Sequence, residues 1–297
     1  MKPFALVALV SATLAAQAVV PNRVFDTRRS AFTDFEAMGA DLAKADVVFV
    51  GEQHDDPNTH RLELAVLEAF ARRGRDVILS LEMFERDVQE PIEHFLMGHV
   101  TEEEFLKTSR PWPRYATDYK PLVDLAVSKN WPVVAANVPR PIASEIAKGG
   151  LEVLQGKSAD DRKLFAAELK CPTDDEYFKR FGEAMGSHPT PGASADEERR
   201  TTERYYFSQC VKDETMAESI AQAFAASRGA DRKPAVVHFN GAFHSDYRQG
   251  TAARVIRRLP KARVVVVSIQ PVADLDGLNV TRKDEAVGDY VVFTLKK

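Results

Sequence analysis

The sequence shows no excess of positive charge: its 297 residues include 40 Lys and Arg against 44 Asp and Glu, a formal net charge of −4 at pH 7. Nucleic-acid binding needs clustered basic residues, so this composition argues against nucleic acid as the main partner. Internal repeats are absent as well, and no apolar run beyond the N-terminus is long enough to cross a bilayer. With 44% hydrophobic and 28% charged residues, the chain has the composition of an ordinary globular protein with a full core.

The N-terminus reads "MKPFALVALVSATLAAQAVVPN", in which one basic residue, Lys2, precedes an apolar stretch over residues 4–16. The small-x-small run Ala16-Gln17-Ala18 follows and is typical of a cleavage site. We therefore predict a cleavable signal peptide over residues 1–18 and a mature domain over 19–297, located in the periplasm or secreted. No cysteine lies near the cleavage site, which excludes lipid attachment there.

Cysteine is scarce throughout, since Cys171 and Cys210 are the only two in the sequence. In an exported protein, one even pair is more typical of a structural disulfide than of two free thiols. A catalytic thiol is the alternative, but neither cysteine adjoins the end of an apolar run or a glycine-rich turn. We therefore expect the two cysteines to be bonded.

Short apolar runs rich in valine are the strongest pattern in the remaining sequence. Five of them read "DVVFVG" (46–51), "DVILSLE" (76–82), "WPVVAAN" (131–137), "PAVVHFN" (234–240) and "ARVVVVSI" (262–269). Continuous apolar strands are expected where helices cover both faces of a parallel sheet. Since segments of helical periodicity lie between the runs, the predicted class is α/β, with a mainly parallel sheet flanked by helices. A last run, "DYVVFTL" (289–295), predicts a further strand at one edge.

The valine runs vanish from about residue 141 to 230, where the sequence is polar and of helical character. This segment predicts a helical subdomain, or cap, inserted between the third and fourth strands. Its longest helical stretch, "ERYYFSQCVKDETMAESIAQAFAASRG", is expected to pack back on the sheet. The run "GSHPTPGASADEE" has the composition of a loop.

Polar residues stand at the C-terminal ends of the predicted strands. The first and fourth runs are each followed by a Gly-x-x-His tetrapeptide, and the second run ends in a glutamate. Ligands of open parallel sheets bind in the crevice beyond the C-terminal strand ends, where such side chains converge. We therefore predict one site, with catalytic potential, formed by Glu52, His54, Glu82 and His244.

Two imidazoles and two carboxylates in one crevice suit metal-assisted hydrolysis. In that interpretation His54, His244 and Glu82 bind a divalent metal such as Mn, Co or Zn, with one coordination position open. The other carboxylate, Glu52, then activates water as a general base. The residues themselves thus favour a protease-like or esterase-like hydrolase. The alternative is a Glu–His network with a purely structural role.

Several motifs, taken in order, resemble the ChaN haem-binding uptake proteins of the Tiki superfamily, whose relatives include Tiki metalloproteases and erythromycin esterases. They are "GEQHDDPNTHRLELAVLEA", "LSLEMFERDVQEPI", "DYKPLVDLA", "PVVAANVPRPIA", "QCVKDETMAESIA" and "HFNGAFHSDYRQG". The resemblance runs from about residue 45 to 258 and includes both Gly-x-x-His tetrapeptides. One departure is that the lipid-attachment cysteine of several ChaN members is missing.

The resemblance implies an exported protein of iron or haem uptake with haem as its ligand, whereas the sequence contains no Cys-x-x-Cys-His motif. It also implies a tyrosine as axial ligand, because phenolate oxygen suits ferric iron. Tyr119 matches the family's position best, with Tyr115 and Tyr247 behind it. Arg140 is the candidate for binding a haem propionate, with a surface ion pair as the alternative. A homodimer that holds haem between its subunits is left open.

The remaining polar candidates have weaker signals. His60 follows the first motif on a predicted helix and is equally consistent with contact behind the site or with solvation. His238 lies inside a predicted strand and is expected to be a core residue, whereas Asp213 is a candidate to hydrogen-bond a site histidine. The other histidines, expected to be solvated or in loops, are His94, His99 and His188.

Overall fold

A computed structural model of the chain describes residues 20–186, 194–229 and 233–297. The predicted signal peptide and His188 lie outside these residues. The strands are β1 Asn22–Asp26, β2 Ala31–Thr33, β3 Val47–Glu52, β4 Val77–Glu85, β5 Val133–Asn137, β6 Ala235–Gly241, β7 Val264–Val272 and β8 Tyr290–Leu295. Together they form one sheet, and all six predicted apolar runs are strands of it.

The sheet has the strand order β2-β1-β8-β7-β3-β6-β4-β5. From β8 to β5 neighbouring strands are parallel, whereas β1 is antiparallel to both β8 and β2. The mainly parallel α/β class is therefore confirmed. The expectation that the last run lies at an edge is wrong, because the β1–β2 hairpin pairs along β8 and covers it.

Helices separate most of the strands. The helices are α1 Phe35–Leu42, α2 Pro57–Arg72, α3 Gln89–Leu96, α4 Glu102–Ser109, α5 Tyr115–Asp118, α6 Lys120–Lys129, α7 Arg140–Gly149, α8 Glu176–Gly186, α9 Ala195–Ala226, α10 Gly250–Arg258 and α11 Arg282–Val287. Short 3-10 turns lie at Arg86–Val88, Leu151–Gly156, Asp161–Leu164, Ser227–Gly229, Ala242–His244 and Asp246–Arg248. None of the helices within the described ranges is long and apolar enough to span a membrane.

Both faces of the sheet are covered, which explains why its strands read as continuous apolar runs. Alternate residues of β3 point to opposite faces, so that Val48 packs in one core cluster with α2 and Phe49 in another with α9 and α10. Phe49 is fully buried, and burial of such a side chain stabilises a fold by about 1.5–3 kcal/mol. The two cores hold the C-terminal ends of β3, β4 and β6 in register.

Helices α7, α8 and α9 lie between β5 and β6 in the chain, where the helical insertion was expected. The long helix α9 packs against α7, α10 and β5, and its Ile220 belongs to the core on one face of the sheet. A disulfide between Cys171 and Cys210, with Cα atoms 5.7 Å apart, ties the segment before α8 to α9. The predicted pairing of the two cysteines is thereby confirmed.

Candidate functional site

The four predicted side chains lie at the same edge of the sheet. Glu52 ends β3, Glu82 lies near the end of β4, and His244 follows β6 in a 3-10 turn. The parallel register pairs Glu52 with Gly241, which brings the two Gly-x-x-His tetrapeptides side by side. A cleft of about 830 Å³ opens at this edge, and its lining includes Glu52, His54 and His244.

Glu52 and His54 form the first carboxylate–imidazole pair. The Glu52 side chain is fully buried, and its Oε1 accepts hydrogen bonds from His54 Nδ1 and, at 2.9 Å, from the Tyr119 hydroxyl. Burial alone would raise the pKa of Glu52, but the hydrogen bond and charge of His54 together with the contacts of His60 and Glu63 outweigh it, and the pKa is lowered. Burial likewise opposes protonation of His54, yet the Glu52 carboxylate raises the pKa of that imidazole.

Glu82 and His244 form the second pair, extended by Asp213 of α9. His244 Nδ1 donates to Asp213 Oδ1 at 2.7 Å, and His244 Nε2 lies 3.3 Å from Glu82 Oε1. Burial opposes the charge on His244, but Glu82 and Asp213 together raise its pKa to about 10. Burial opposes ionisation of both carboxyls, but the imidazolium and the weaker contributions of neighbouring groups, such as His54 for Glu82 and Arg254 for Asp213, together lower the pKa of each. The predicted contact of Asp213 with a site histidine is confirmed.

The two glycines of the tetrapeptides serve close approach rather than turning. Neither Gly51 nor Gly241 has a positive φ, so the backbone conformation at these positions does not require glycine. A Cβ on Gly241 would lie 2.6 Å from His54 Nε2, and one on Gly51 would lie 3.0 Å from the Cα of Ala242. Glycine at 241 therefore makes room for the His54 ring, while its backbone N–H donates to Glu82 at 2.7 Å.

Gly241→Ala is expected to displace His54 without unfolding the chain. The His54 side chain is 45% exposed and can rotate away, so the loss of stability should be about 1 kcal/mol. Freed from Glu52, its imidazole should titrate closer to the ordinary pKa of 6.5, which NMR of the histidine ring measures. Gly182→Ala in α8, whose Cβ would meet nothing closer than 3.9 Å, is the control. An unchanged His54 titration in Gly241→Ala would contradict this account.

A buried cluster behind the first pair was not predicted as a site. His60, on the second turn of α2, lies with its Nδ1 2.9 Å from Glu63 Oε2 and 3.7 Å from Glu52 Oε2. Burial and the neighbouring Glu52 raise the pKa of Glu63 well above its usual range. The helix begins here because Pro57 follows Asp56, whose side chain accepts from the first free N–H groups of α2.

Within the part of the chain that the structure describes, one set of three side chains brings ligand atoms within 4.8 Å of one another: Glu52, His60 and Glu63. The predicted metal ligands His54, His244 and Glu82 line or adjoin the same cleft but do not form so tight a set. The sequence signal for the tighter set was weak. His60 follows His54 by six residues on a predicted helix, and this spacing indicated that the two side chains point in different directions.

The residues predicted to bind the cofactor are not among those that line the cleft. Tyr119 is 2% exposed, and its hydroxyl is committed to Glu52, which together with burial raises the pKa of the phenol. Arg140 is exposed at the first position of α7, because that helix starts three residues beyond β5 and leads its side chain away. Tyr115 is likewise buried, whereas Tyr247 lines the cleft.

Three further histidines within the described ranges behave as expected. His238 is fully buried, with Nδ1 2.9 Å from the Ser80 hydroxyl, and burial lowers its pKa to about 3, so it is a neutral core residue. His94 and His99 are exposed.

The model of the family described as "Haem-binding uptake, Tiki superfamily, ChaN" matches residues 38–255. The chain belongs to this family. The ChaN fold is also seen in the solved structure of ChaN of Campylobacter jejuni, described as binding haem cofacially, with a TM-score of 0.67 and 18% identity. That match covers 93% of this chain and 97% of the other, and it supports the fold alone.

This ChaN-family chain is also similar to two other proteins. A mutant erythromycin esterase, EreC, in its open conformation has a TM-score of 0.45 and 11% identity, covering 93% of this chain and 83% of that one. The chloroplastic protein RETICULATA-RELATED 5 of Arabidopsis thaliana is 24% identical over an alignment of 272 residues that covers 85% of this chain. The chain spans only 35% of the length of that plant protein.

Proposed function

We propose that this ChaN-family chain is an exported haem-binding protein of iron or haem uptake. The observation that carries the proposal is the family match over residues 38–255, which includes every side chain of the cleft edge described above. Export is supported by the sequence of residues 1–18 and by the Cys171–Cys210 disulfide, since disulfides persist in oxidising compartments.

The cleft fits a haem in size and chemistry. Its volume of about 830 Å³ lies within the range of cofactor and ligand sites, and Phe243 and Tyr247 supply aromatic surface. Lys179 and Lys283 line the cleft, and their ammonium groups are suited to pairing with the propionate carboxylates of haem. When bound, haem would supply an iron able to take an axial protein ligand.

Tyr247 is the tyrosine that we propose as the axial ligand, in place of Tyr119. Of the three tyrosines considered, Tyr247 lines the cleft, whereas the hydroxyls of Tyr119 and Tyr115 belong to buried side chains. Burial and the neighbouring Asp246 raise the pKa of Tyr247, and Arg180, whose guanidinium carbon lies 4.9 Å from the ring centroid, offsets part of this rise. A cation at this position favours the phenolate form that binds ferric iron.

Titration of the purified chain with hemin tests the proposal through the Soret band. We expect saturable binding, and for Tyr247→Phe a shifted band with affinity weakened by about tenfold or more. Tyr119→Phe and Tyr115→Phe are matched controls that should bind like the wild type. Absence of saturable hemin binding by the wild-type chain would overturn the function, and loss of binding in Tyr119→Phe alone would return the ligand to that residue.

Hydrolysis is the second candidate, because two carboxylate–imidazole pairs share the floor of one cleft. A protonated His244 beside Glu82 and a half-exposed His54 beside Glu52 could exchange protons with a substrate. The same preparation separates the candidates. A hydrolase would turn over ester or peptide substrates when supplied with Mn, Co or Zn, and would lose that turnover in Glu82→Gln while hemin had no effect on it.

A further inference from the structure

His60 is enclosed by hydrogen-bond acceptors at both ring nitrogens. Its Nε2 lies 3.0 Å from the backbone oxygen of His54 and 3.4 Å from Asp118 Oδ2. Its Nδ1 lies 2.9 Å from Glu63 Oε2 and 3.7 Å from Glu52 Oε2. A neutral imidazole that donates Nε2–H to the His54 carbonyl therefore presents the lone pair of Nδ1 to two carboxylates. This contact is repulsive unless a positive charge lies between them.

Two carboxylate oxygens of the same cluster lack hydrogen-bond partners. They are Glu52 Oε2 and Glu63 Oε1, both on fully buried side chains, and they have no partner as long as both carboxyls are ionised and do not share a proton. Asp118 is compensated by Arg114, whose Nε lies 2.8 Å away. In the described ranges the ion-pairing partner of Glu63 is His60 alone. A proton on His60 would satisfy its ring nitrogens but leave both oxygens unpartnered, and buried acceptors without partners are costly.

The spacing of the cluster matches what a metal ion requires. Ligand atoms about 2.0–2.2 Å from one ion are separated from each other by roughly 3.3–3.6 Å in tetrahedral geometry. The distances from His60 Nδ1 to the Glu63 and Glu52 oxygens, 2.9 and 3.7 Å, lie on either side of this range. The His60 Nε2–His54 carbonyl contact is the second hydrogen bond that metal-binding histidines commonly make, and it fixes Nδ1 as the ligand nitrogen.

We propose that Glu52, His60 and Glu63 bind a divalent first-row transition metal, such as Zn²⁺, beneath the cleft floor. Two carboxylates and one neutral imidazole neutralise a divalent ion, and the unpartnered Glu52 Oε2 becomes a ligand beside Glu63 and His60 Nδ1. Glu52 lines the cleft, which provides a route of entry for the ion. This site is distinct from the His54, Glu82 and His244 set, and it does not depend on haem binding.

The Tyr119 hydroxyl has a defined role in this arrangement. It donates to Glu52 Oε1 at 2.9 Å. His54 Nδ1 donates to the same oxygen, so Glu52 Oε1 is held on the cleft side. The other oxygen, Oε2, is left facing His60. Tyr119 is thus a positioning residue for Glu52, and the Glu52 carboxylate lies between the metal and His54.

The test uses the full disulfide-bonded chain, stripped by chelator and titrated with Co²⁺, whose visible absorption reports coordination. We expect one equivalent to bind and Zn²⁺ to displace it. Glu63→Gln keeps the size of the side chain and can hydrogen-bond His60, so it should fold, yet it should bind Co²⁺ about 100-fold more weakly. Thermal unfolding gives the second readout, because the metal should raise the Tm of the wild type and leave that of Glu63→Gln unchanged.

The exposed pair His94 and His99, with ring centroids 5.9 Å apart, is the alternative place for an added metal to bind. The double variant His94→Asn, His99→Asn is therefore the matched control, and it should keep the Co²⁺ spectrum. Loss of the spectrum in this control, or equal Co²⁺ affinity in Glu63→Gln, would overturn the proposal. So would absence of stoichiometric binding by the wild type, which would assign a shared proton to the cluster. Hemin titration is a separate readout, so either proposal can fail without the other.

Discussion

Replacement of Glu214 by alanine should destabilise the fold by about 3–5 kcal/mol, because it removes the nearest charge partner of the buried Arg254 and leaves only Asp213, 4.0 Å away. Glu214 of α9 has a fully buried side chain that contacts three arginines of α10. Its oxygens lie 3.2 Å from Arg254 Nε, 2.7 Å from Arg257 Nη2 and 2.5 Å from Arg258 Nη2. Arg254 is itself only 5% exposed, so water cannot replace the lost carboxylate.

Urea denaturation of the wild type and of Glu214→Ala measures this difference as a fall in midpoint at unchanged slope. Glu103→Ala is the matched control, since Glu103 also lies on a helix and pairs with a cation at 2.7 Å. Its side chain is 79% exposed and that of its partner Lys107 is 69% exposed, so the cost should stay below about 0.5 kcal/mol. A loss under about 1 kcal/mol for Glu214→Ala would show that α10 does not depend on this pair.

The strand ends could be predicted from the sequence because burial on both faces leaves a strong local pattern. The valine runs of β3 and β6 are followed directly by their Gly-x-x-His tetrapeptides, so parallel pairing alone brings Glu52 close to Gly241. Asp213 could be proposed as a partner of a site histidine because its helix was expected to pack on the sheet. These inferences need only the direction of the strands and the covering of the sheet.

The partners of buried charges could not be predicted, because they depend on how helices lie against one another. The arginines of α10 recur at helical spacing and so share a face, but nothing local indicates that Glu214 meets them. His60 and Glu63 are one turn apart on α2, yet their contact with Glu52 requires α2 to pack behind β3. Ionisable residues that show no local pattern in the sequence thus form a cluster only after folding.

The positions of Tyr119 and Arg140 show a further limit. Both lie at the start of a helix, Tyr119 directly before α6 and Arg140 at the first position of α7, and a side chain there can point either way. Tyr119 turns inward to Glu52, and Arg140 turns outward to solvent. The β1–β2 hairpin was missed because its strands are five and three residues long and lack a valine run.

Asp213→Asn should lower stability most at mildly acidic pH, by about 3 kcal/mol or more, and progressively less as the pH rises. The folded-state pKa of His244, about 10, exceeds its ordinary 6.5. A raised pKa of this kind stabilises the fold fully below the unfolded value and loses that contribution as the pH rises through the folded value. The contribution of the His244 imidazolium is therefore present below about pH 6.5 and fades toward pH 10.

The carboxyls of Asp213 and Glu82 set the acid limit of the same network. Their pKa values are lowered in the fold, so their contribution is present above the unfolded values and is lost as the pH falls. The contribution of this network to the free energy of unfolding should therefore be largest between about pH 5 and 6.5, and it should decrease above that range. In Asp213→Asn the imidazolium loses one of its two anionic partners, so the decline above neutrality should be shallower.

Thr251→Val separates the charge of Asp213 from its hydrogen bonds. The Thr251 hydroxyl donates to Asp213 Oδ1 at 2.8 Å, beside the bond from His244 Nδ1. Removing the hydroxyl should cost about 1 kcal/mol at every pH, because no titrating group is removed. Urea denaturation between about pH 6 and 9.5 should then give converging stabilities for the wild type and Asp213→Asn, but parallel ones for the wild type and Thr251→Val. Parallel curves for Asp213→Asn would mean that His244 is neutral in the fold, and its role as a proton donor at the cleft would have to be abandoned.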